Sequence, residues 1–151
     1  MNYHGGAMYV KQLANKMSVT PDTIRHYTRM QLLKPVRSVS NGYQEYTKTD
    51  QQRLKFIINA RQLGFSVKDI QHIITESEQG NCPCPLTRKL IVKRLAETEA
   101  LFQETLKLRT RMQAAVKQWQ SSPDGATSAD ICSLIESFVD PISTEENNPE
   151  A

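Results

Sequence analysis

Two sets of residues in this chain can carry chemistry. One is three thiols and the other is a band of basic and hydrogen-bonding side chains near the N-terminus. The thiols are Cys82, Cys84 and Cys132. Cys82-Pro83-Cys84-Pro85 stands at the start of a long helical pattern, and Cys132 lies past its end. A thiolate binds soft and borderline metal ions and also attacks oxidants and electrophiles. A helix N-terminus lowers thiol pKa and so serves either role. The plain alternative is that Cys132 is a small core residue and the other two are incidental surface thiols. No His–Cys pairing or Cys-x-x-Cys motif supports a thiol enzyme such as a reductase. His72 has no partner at metal-ligand spacing and reads as a surface or half-buried residue.

The second set lies within residues 9–46. Val10, Leu13, Ala14 and Met17 recur at helical spacing. Ser18-Val19 breaks that pattern and Thr20-Pro21-Asp22 restarts it. Thr20 is a capping residue, Pro21 suits the first helical position, and Asp22 suits the positive end of the helix dipole. A second helix over 21–30 buries Ile24 and presents Asp22, Thr23, Arg25, His26 and Arg29 elsewhere, so the pair is a helix-turn-helix. Tyr27 divides evenly between the core and the exposed face. Asn41-Gly42 then signals a type I′ hairpin turn with positive φ at both positions. Residues 36–39 enter this ribbon and 43–46 leave it, carrying Arg37, Asn41, Tyr43 and Gln44. A helix-turn-helix followed by such a ribbon is a winged module, whose second helix enters a DNA groove.

Beyond the wing, Thr47 and Asp50 resemble a capping box for a helix to about residue 63. Its buried stripe is Leu54, Ile57, Ile58 and Leu63, with Phe56 and Ala60 near it. Gly64 ends it. Ser66 to Asp69 caps another helix with Val67, Ile70, Ile73 and Ile74 as its apolar face. Residues 76–81 read as a loop. The long helix runs from Pro85 to about residue 120 without interior Gly or Pro. Ile91, Thr98, Thr105, Met112 and Trp119 repeat every seven residues, with Leu101, Leu108 and Ala115 between them and Arg94 interrupting that row. This is a coiled-coil seam. Leu95, Phe102 and Leu106 form a second strip, suited to packing on the winged module. A lone helix hides neither strip, so self-association is expected. A short apolar helix over 130–138 follows, then an acidic tail expected to be disordered. The expected organisation is a winged helix-turn-helix domain over 8–76, a linker and dimerisation helix over 77–120, an effector loop and short helix over 121–140, and a tail over 141–151.

Composition agrees with a polyanion partner. Net charge is +3, yet residues 1–70 carry 11 Lys and Arg against 4 Asp and Glu, a local excess of +7. A basic first half with a winged module points to double-stranded DNA. A coiled-coil adaptor without DNA binding is the competing class, and it would show no salt-dependent DNA shift. No run is apolar enough to span a bilayer and no N-terminal segment reads as a signal peptide, so a cytoplasmic location with reduced thiols is expected.

Thr-Ile-Arg-His-Tyr (23–27), Leu-Leu-Lys-Pro (32–35), Asn-Gly-Tyr-Gln-Glu-Tyr (41–46) and Gln-Leu-Gly-Phe-Ser-Val-Lys-Asp-Ile (62–70) together resemble the MerR family of bacterial transcription regulators. The resemblance implies a mainly α fold, a winged helix-turn-helix followed by a long helix that pairs antiparallel in a homodimer. By resemblance and exposure the DNA contacts are Thr23, Arg25, His26, Tyr27, Arg29, Arg37, Asn41, Gly42 and Tyr43. Arg25, Arg29 and Arg37 are expected on phosphates, and Thr23 and His26 near base edges. The partners implied are promoter DNA with an overlong spacer and RNA polymerase. Metal-responsive members place a cysteine at the start of the dimerisation helix and others in a later loop of the second subunit. Cys82 or Cys84 matches the first, and Cys132 in Cys-Ser-Leu-Ile-Glu matches the second. The effector implied is a soft or borderline divalent ion of the Zn, Cd, Pb or Hg class. Oxidant or electrophile sensing through the same thiols is the alternative. The chain departs from the family in having Lys-Gln-Trp-Gln-Ser-Ser just after the long helix, where metal sensors usually carry another cysteine. The extra thiol of Cys-Pro-Cys can compensate.

Overall fold

A computed structural model describes residues 6–125 and 131–146, without side-chain detail for 144–146. The chain begins with α1 (Val10–Met17) and α2 (Pro21–Arg29). Ser18 takes the left-handed conformation at φ 55°, which ends α1 and turns the chain. Thr20 Oγ accepts the Thr23 N–H at 3.2 Å, so α2 starts at a satisfied cap. Leu13, Ala14, Ile24 and Tyr27 are buried in one core with Leu32, Leu33 and Tyr46. Each large apolar side chain removed from water there stabilises the unit by about 1.5–3 kcal/mol.

The wing pairs β1 (Val36–Arg37) antiparallel with β2 (Gln44–Glu45), Arg37 opposite Gln44. Its turn differs from the type I′ expectation. Ser38 N–H donates to Tyr43 O at 2.8 Å and Gly42 N–H donates to Ser38 O at 2.9 Å, enclosing a four-residue loop. Only Gly42 has positive φ there, at 72°. A loop of this length needs one left-handed residue at its end, and Gly supplies it without strain.

Next come α3 (Lys48–Gln62) and α4 (Val67–Glu78). Both start with complete capping boxes, Thr47 with Asp50 and Ser66 with Asp69. Asp50 also accepts the Lys34 N–H at 2.9 Å, which ties the segment after α2 to the start of α3. Leu54, Ile57 and Ala60 are buried, but Leu63 is 64% exposed. Gly64 at φ 88° reverses the chain just after it, so Phe65 enters the core in its place. α4 extends through residues expected in a loop, and Gly80 at φ 83° follows it.

The long helix α5 is Cys84–Trp119, with none of its residues buried. Leu86, Leu90 and Ile91 pack on the core of the preceding helices. The strip Leu95, Phe102 and Leu106, expected to do this, is exposed, as are Leu101, Leu108 and Met112. Ile91 therefore faces the core rather than heading the seam. The chain divides into two compact units, one through Arg94 and the other from Leu95. In the second, α6 (Ser133–Glu136) and α7 (Pro141–Glu146) are held to the end of α5. Trp119 Nε1 donates to Leu134 O at 2.8 Å, and the Gln118 amide bonds Val139 through both its N–H and its carbonyl. α7 stands where a disordered tail was expected. Asp140 accepts the Ile142 N–H at 3.0 Å and pairs with Arg111 at 2.9 Å, so the turn has a local cap and an anchor. The short apolar helix expected at 130–138 is shorter: Asp130 lies outside the described residues, Cys132 is extended at the N-cap of α6, and Ser137 ends it.

Candidate nucleic-acid interface and thiol pair

α2 presents Arg25, His26 and Arg29 to solvent, and the wing presents Arg37, Asn41, Gly42 and Tyr43. Tyr27 is buried at 8% exposure, so it packs under α2 and leaves the DNA face to its neighbours. Thr23 is half-buried, with its hydroxyl 2.9 Å from that of Thr20, so it serves the helix cap first. Arg25 Nη1 lies 2.9 Å from Asp22 Oδ1 in an exposed i, i+3 pair. Such a pair is weak in water and yields readily to a phosphate. The His26 ring lies 5.5 Å from that of Tyr27.

These residues converge. A cavity opens on each side of Arg25. The larger, about 790 Å³, is lined by Tyr9, Lys11, Arg25, Arg37, Asn41 and Tyr43 among others. The smaller, about 360 Å³, lies among Arg25, Thr28, Arg29 and Gln44. Three cations around one recess and a second pair beside it suit a charged backbone. Tyr9 and Lys11 were not among the sequence candidates, and Gln44 was named on the ribbon but not among the DNA contacts. Tyr9 belongs to the face because its ring meets Tyr43 edge-on at 6.2 Å and its hydroxyl accepts from Asn41 Nδ2 at 3.1 Å. A tyrosine just ahead of an amphipathic helix, with two more in the ribbon, was the available signal.

The thiols form a pair and a single. Cys84 is the first residue of α5 and Cys82 lies two residues earlier, both exposed. The Cys84 backbone N–H and thiol face the Cys82 sulfur and hold the Cys82 thiol below its ordinary value. The same contact raises the Cys84 thiol. The pair thus loses its first proton easily and its second less so. Cys132 is half-buried just ahead of α6. Among the described residues no three His, Cys, Asp or Glu side chains gather into a metal site. Among the described residues, one chain therefore brings two thiols near each other and no closed coordination shell.

A helix-turn-helix with a wing, basic along the face that both share, defines a DNA-binding regulator rather than an enzyme. Comparison with known proteins agrees. Residues 8–77 match the model of the MerR HTH family regulatory protein, and residues 51–115 match that of the MerR DNA-binding region. The chain is 32% identical over 131 residues to the HTH-type transcriptional regulator ZntR of Escherichia coli K12, covering 85% of this chain and 90% of that one. It is 29% identical over 119 residues to a probable heavy metal-dependent transcriptional regulator of Haemophilus influenzae, covering 78% and 89%. Among solved structures, a MerR family regulator from Bacillus cereus superposes with a TM-score of 0.73 at 25% identity, covering 93% of this chain and 99% of that one. The chain belongs to the MerR family of transcriptional regulators. No helix among the described residues is long and apolar enough to cross a membrane.

Proposed function

We propose that this regulator binds promoter DNA as an antiparallel homodimer and responds to a soft or borderline divalent metal ion of the Zn, Cd, Pb or Hg class. The observation that carries the metal reading is the Cys82–Cys84 pair at the start of α5, with its eased first deprotonation. Thiolate is the form that coordinates, so a lowered thiol pKa reduces the proton competition that a metal must overcome. Two sulfurs leave a metal ion open to further ligands. Cys132 of a second copy supplies the third. The exposed Leu101, Leu108 and Met112 on α5 support the dimer, since a helix with such a row unburied seeks a partner. The heavy metal-dependent relative supports a metal effector generally. Arg25, Arg29 and Arg37 hold phosphates, while His26 approaches base edges, and the effector acts on transcription through RNA polymerase.

Reduced, purified protein loaded from a mixture of competing metals and read by elemental analysis tests this. The expected result is about one thiophilic ion per chain, lost in Cys132→Ser. A mixed dimer carrying Cys84→Ser in one chain and Cys132→Ser in the other keeps one intact site. Loss of both sites overturns the cross-subunit geometry. Absence of metal from wild type, with a transcriptional response to a mild thiol oxidant, favours the oxidant reading instead.

A further inference from the structure

The wing tip is held to the rest of its unit by one side chain. The strands contribute two residues each, and so short a ribbon has little stability of its own. Among the described residues, hydrogen bonds of the tip stay within residues 37–43 with one exception, Asn41 Nδ2 to Tyr9 Oη at 3.1 Å. The orientation of that amide is fixed. Asn41 Oδ1 accepts the Tyr43 N–H at 3.0 Å, and only an oxygen can do so. The nitrogen therefore faces Tyr9, whose hydroxyl must be the acceptor. The Tyr9 proton then points away from Asn41. Among the described residues no protein acceptor takes it, and Tyr9 lines the recess that also holds Lys11, Arg25 and Arg37. None of that recess's lining residues is acidic, although Asp22 pairs with Arg25 from outside it.

We propose that Tyr9 is a DNA-backbone contact: with its hydroxyl oriented by Asn41, it donates its proton to a phosphate oxygen seated in the recess between α1, α2 and the wing. The ring stacked edge-on against Tyr43 holds the hydroxyl at the tip's height. A tyrosine donor adds a directed hydrogen bond without a charge, so it fixes where the phosphate sits while the three cations supply the attraction. This contact rests on the DNA-binding role of the family and is independent of the metal reading.

Tyr9→Phe keeps the ring and removes only the hydroxyl. Fluorescence anisotropy with operator duplex and with unrelated duplex should show both weakened by about tenfold, the scale of one hydrogen bond to a charged group. The slope of log K against log salt should be unchanged, because no cation leaves the DNA. Asn41→Ala in the Tyr9→Phe background should add far less than it does alone, since Asn41 acts through that hydroxyl. Unchanged affinity in Tyr9→Phe overturns the contact. A slope reduced by about one shows instead that the wing has shifted and Arg37 has lost its phosphate. Additive effects overturn the orienting role of Asn41. Failure of wild-type protein to bind any duplex is a separate outcome and would refute the DNA-binding assignment itself. Circular dichroism melting of each full-length variant separates loss of fold from loss of contact.

Discussion

Replacing Arg94 with alanine should destabilise the first unit by about 2–3 kcal/mol at neutral pH, a figure below that for fully buried ion pairs. Arg94 Nε and Nη2 grip the two carboxylate oxygens of Asp69 at 2.6 and 2.9 Å, and Nη2 also reaches Ser66 Oγ at 3.2 Å. Asp69 is the third residue of α4 and closes the capping box that starts it, accepting the Ser66 N–H at 3.0 Å. Its side chain is 8% exposed and that of Arg94 25%, so the pair is sheltered but not dry. Truncating the arginine leaves the carboxylate buried with the Ser66 groups and without its countercharge. That is costlier than losing an exposed pair, and the partial access of water keeps it below the full buried limit. The Arg94 guanidinium, against the opposing effect of burial and with help from Ser66, holds the Asp69 carboxyl far below the usual carboxylate range. A carboxylate with depressed pKa contributes stability above its unfolded value near 3.9, and that contribution fades as pH falls below it. The gap between wild type and Arg94→Ala should therefore be full at pH 7 and shrink through about pH 4 to 2. Urea unfolding at one fixed protein concentration, followed by circular dichroism at a series of pH values, measures it. A loss under about 0.5 kcal/mol at pH 7, or a gap that does not change with pH, refutes the reasoning.

Arg25→Ala should weaken binding to any duplex and reduce the salt slope by about one, because one phosphate contact is lost. A slope equal to wild type in the same titration would place Arg25 off the backbone. Asp50→Ala should cost about 2–3 kcal/mol in thermal or urea unfolding, since it removes the carboxylate half of the capping box that starts α3, leaving the Thr47 N–H without its acceptor, and strands the Lys34 N–H as well. A cost under about 1 kcal/mol would mean that water replaces both bonds.

What was legible in the sequence follows range of interaction. Thr20, Thr47 with Asp50, and Ser66 with Asp69 bond partners three residues away, so their residue types announce the helices they start. The winged helix-turn-helix was legible for the same reason. Leu63 against Phe65 was not, because periodicity assumes that the helix continues and Gly64 ends that assumption. The type I′ reading of Asn41-Gly42 failed similarly. The dipeptide marks a turn, but the number of residues that the flanking pair encloses selects its type. Arg94 showed only as a break in the apolar row. Its purpose is set by Asp69, 25 residues earlier, and no local pattern points that far. α7 was hidden because Asp140, its cap, finds its counterion at Arg111 on the far side of the intervening segment.

The proposed metal site draws on thiols that one chain does not gather among its described residues. Residue types and the helix start made Cys82 and Cys84 candidates, and the fold places Cys84 first in α5 with Cys82 two residues ahead of it, close enough to shift one another's thiol. Lowering one thiol while raising its neighbour is what two groups do when they share a proton, and a metal ion would displace that proton from both. A bidentate pair alone binds many soft ions and discriminates poorly among them, since selectivity comes from ligand number and geometry. A regulator that must answer to one class of ion therefore needs a further donor whose position is fixed from elsewhere. Under the metal-site proposal the dimer would be part of the coordination chemistry and not only a means of reading two half-sites. Conditions that separate the copies should lower metal affinity and DNA affinity together, whereas Cys132→Ser should lower the first and spare the second.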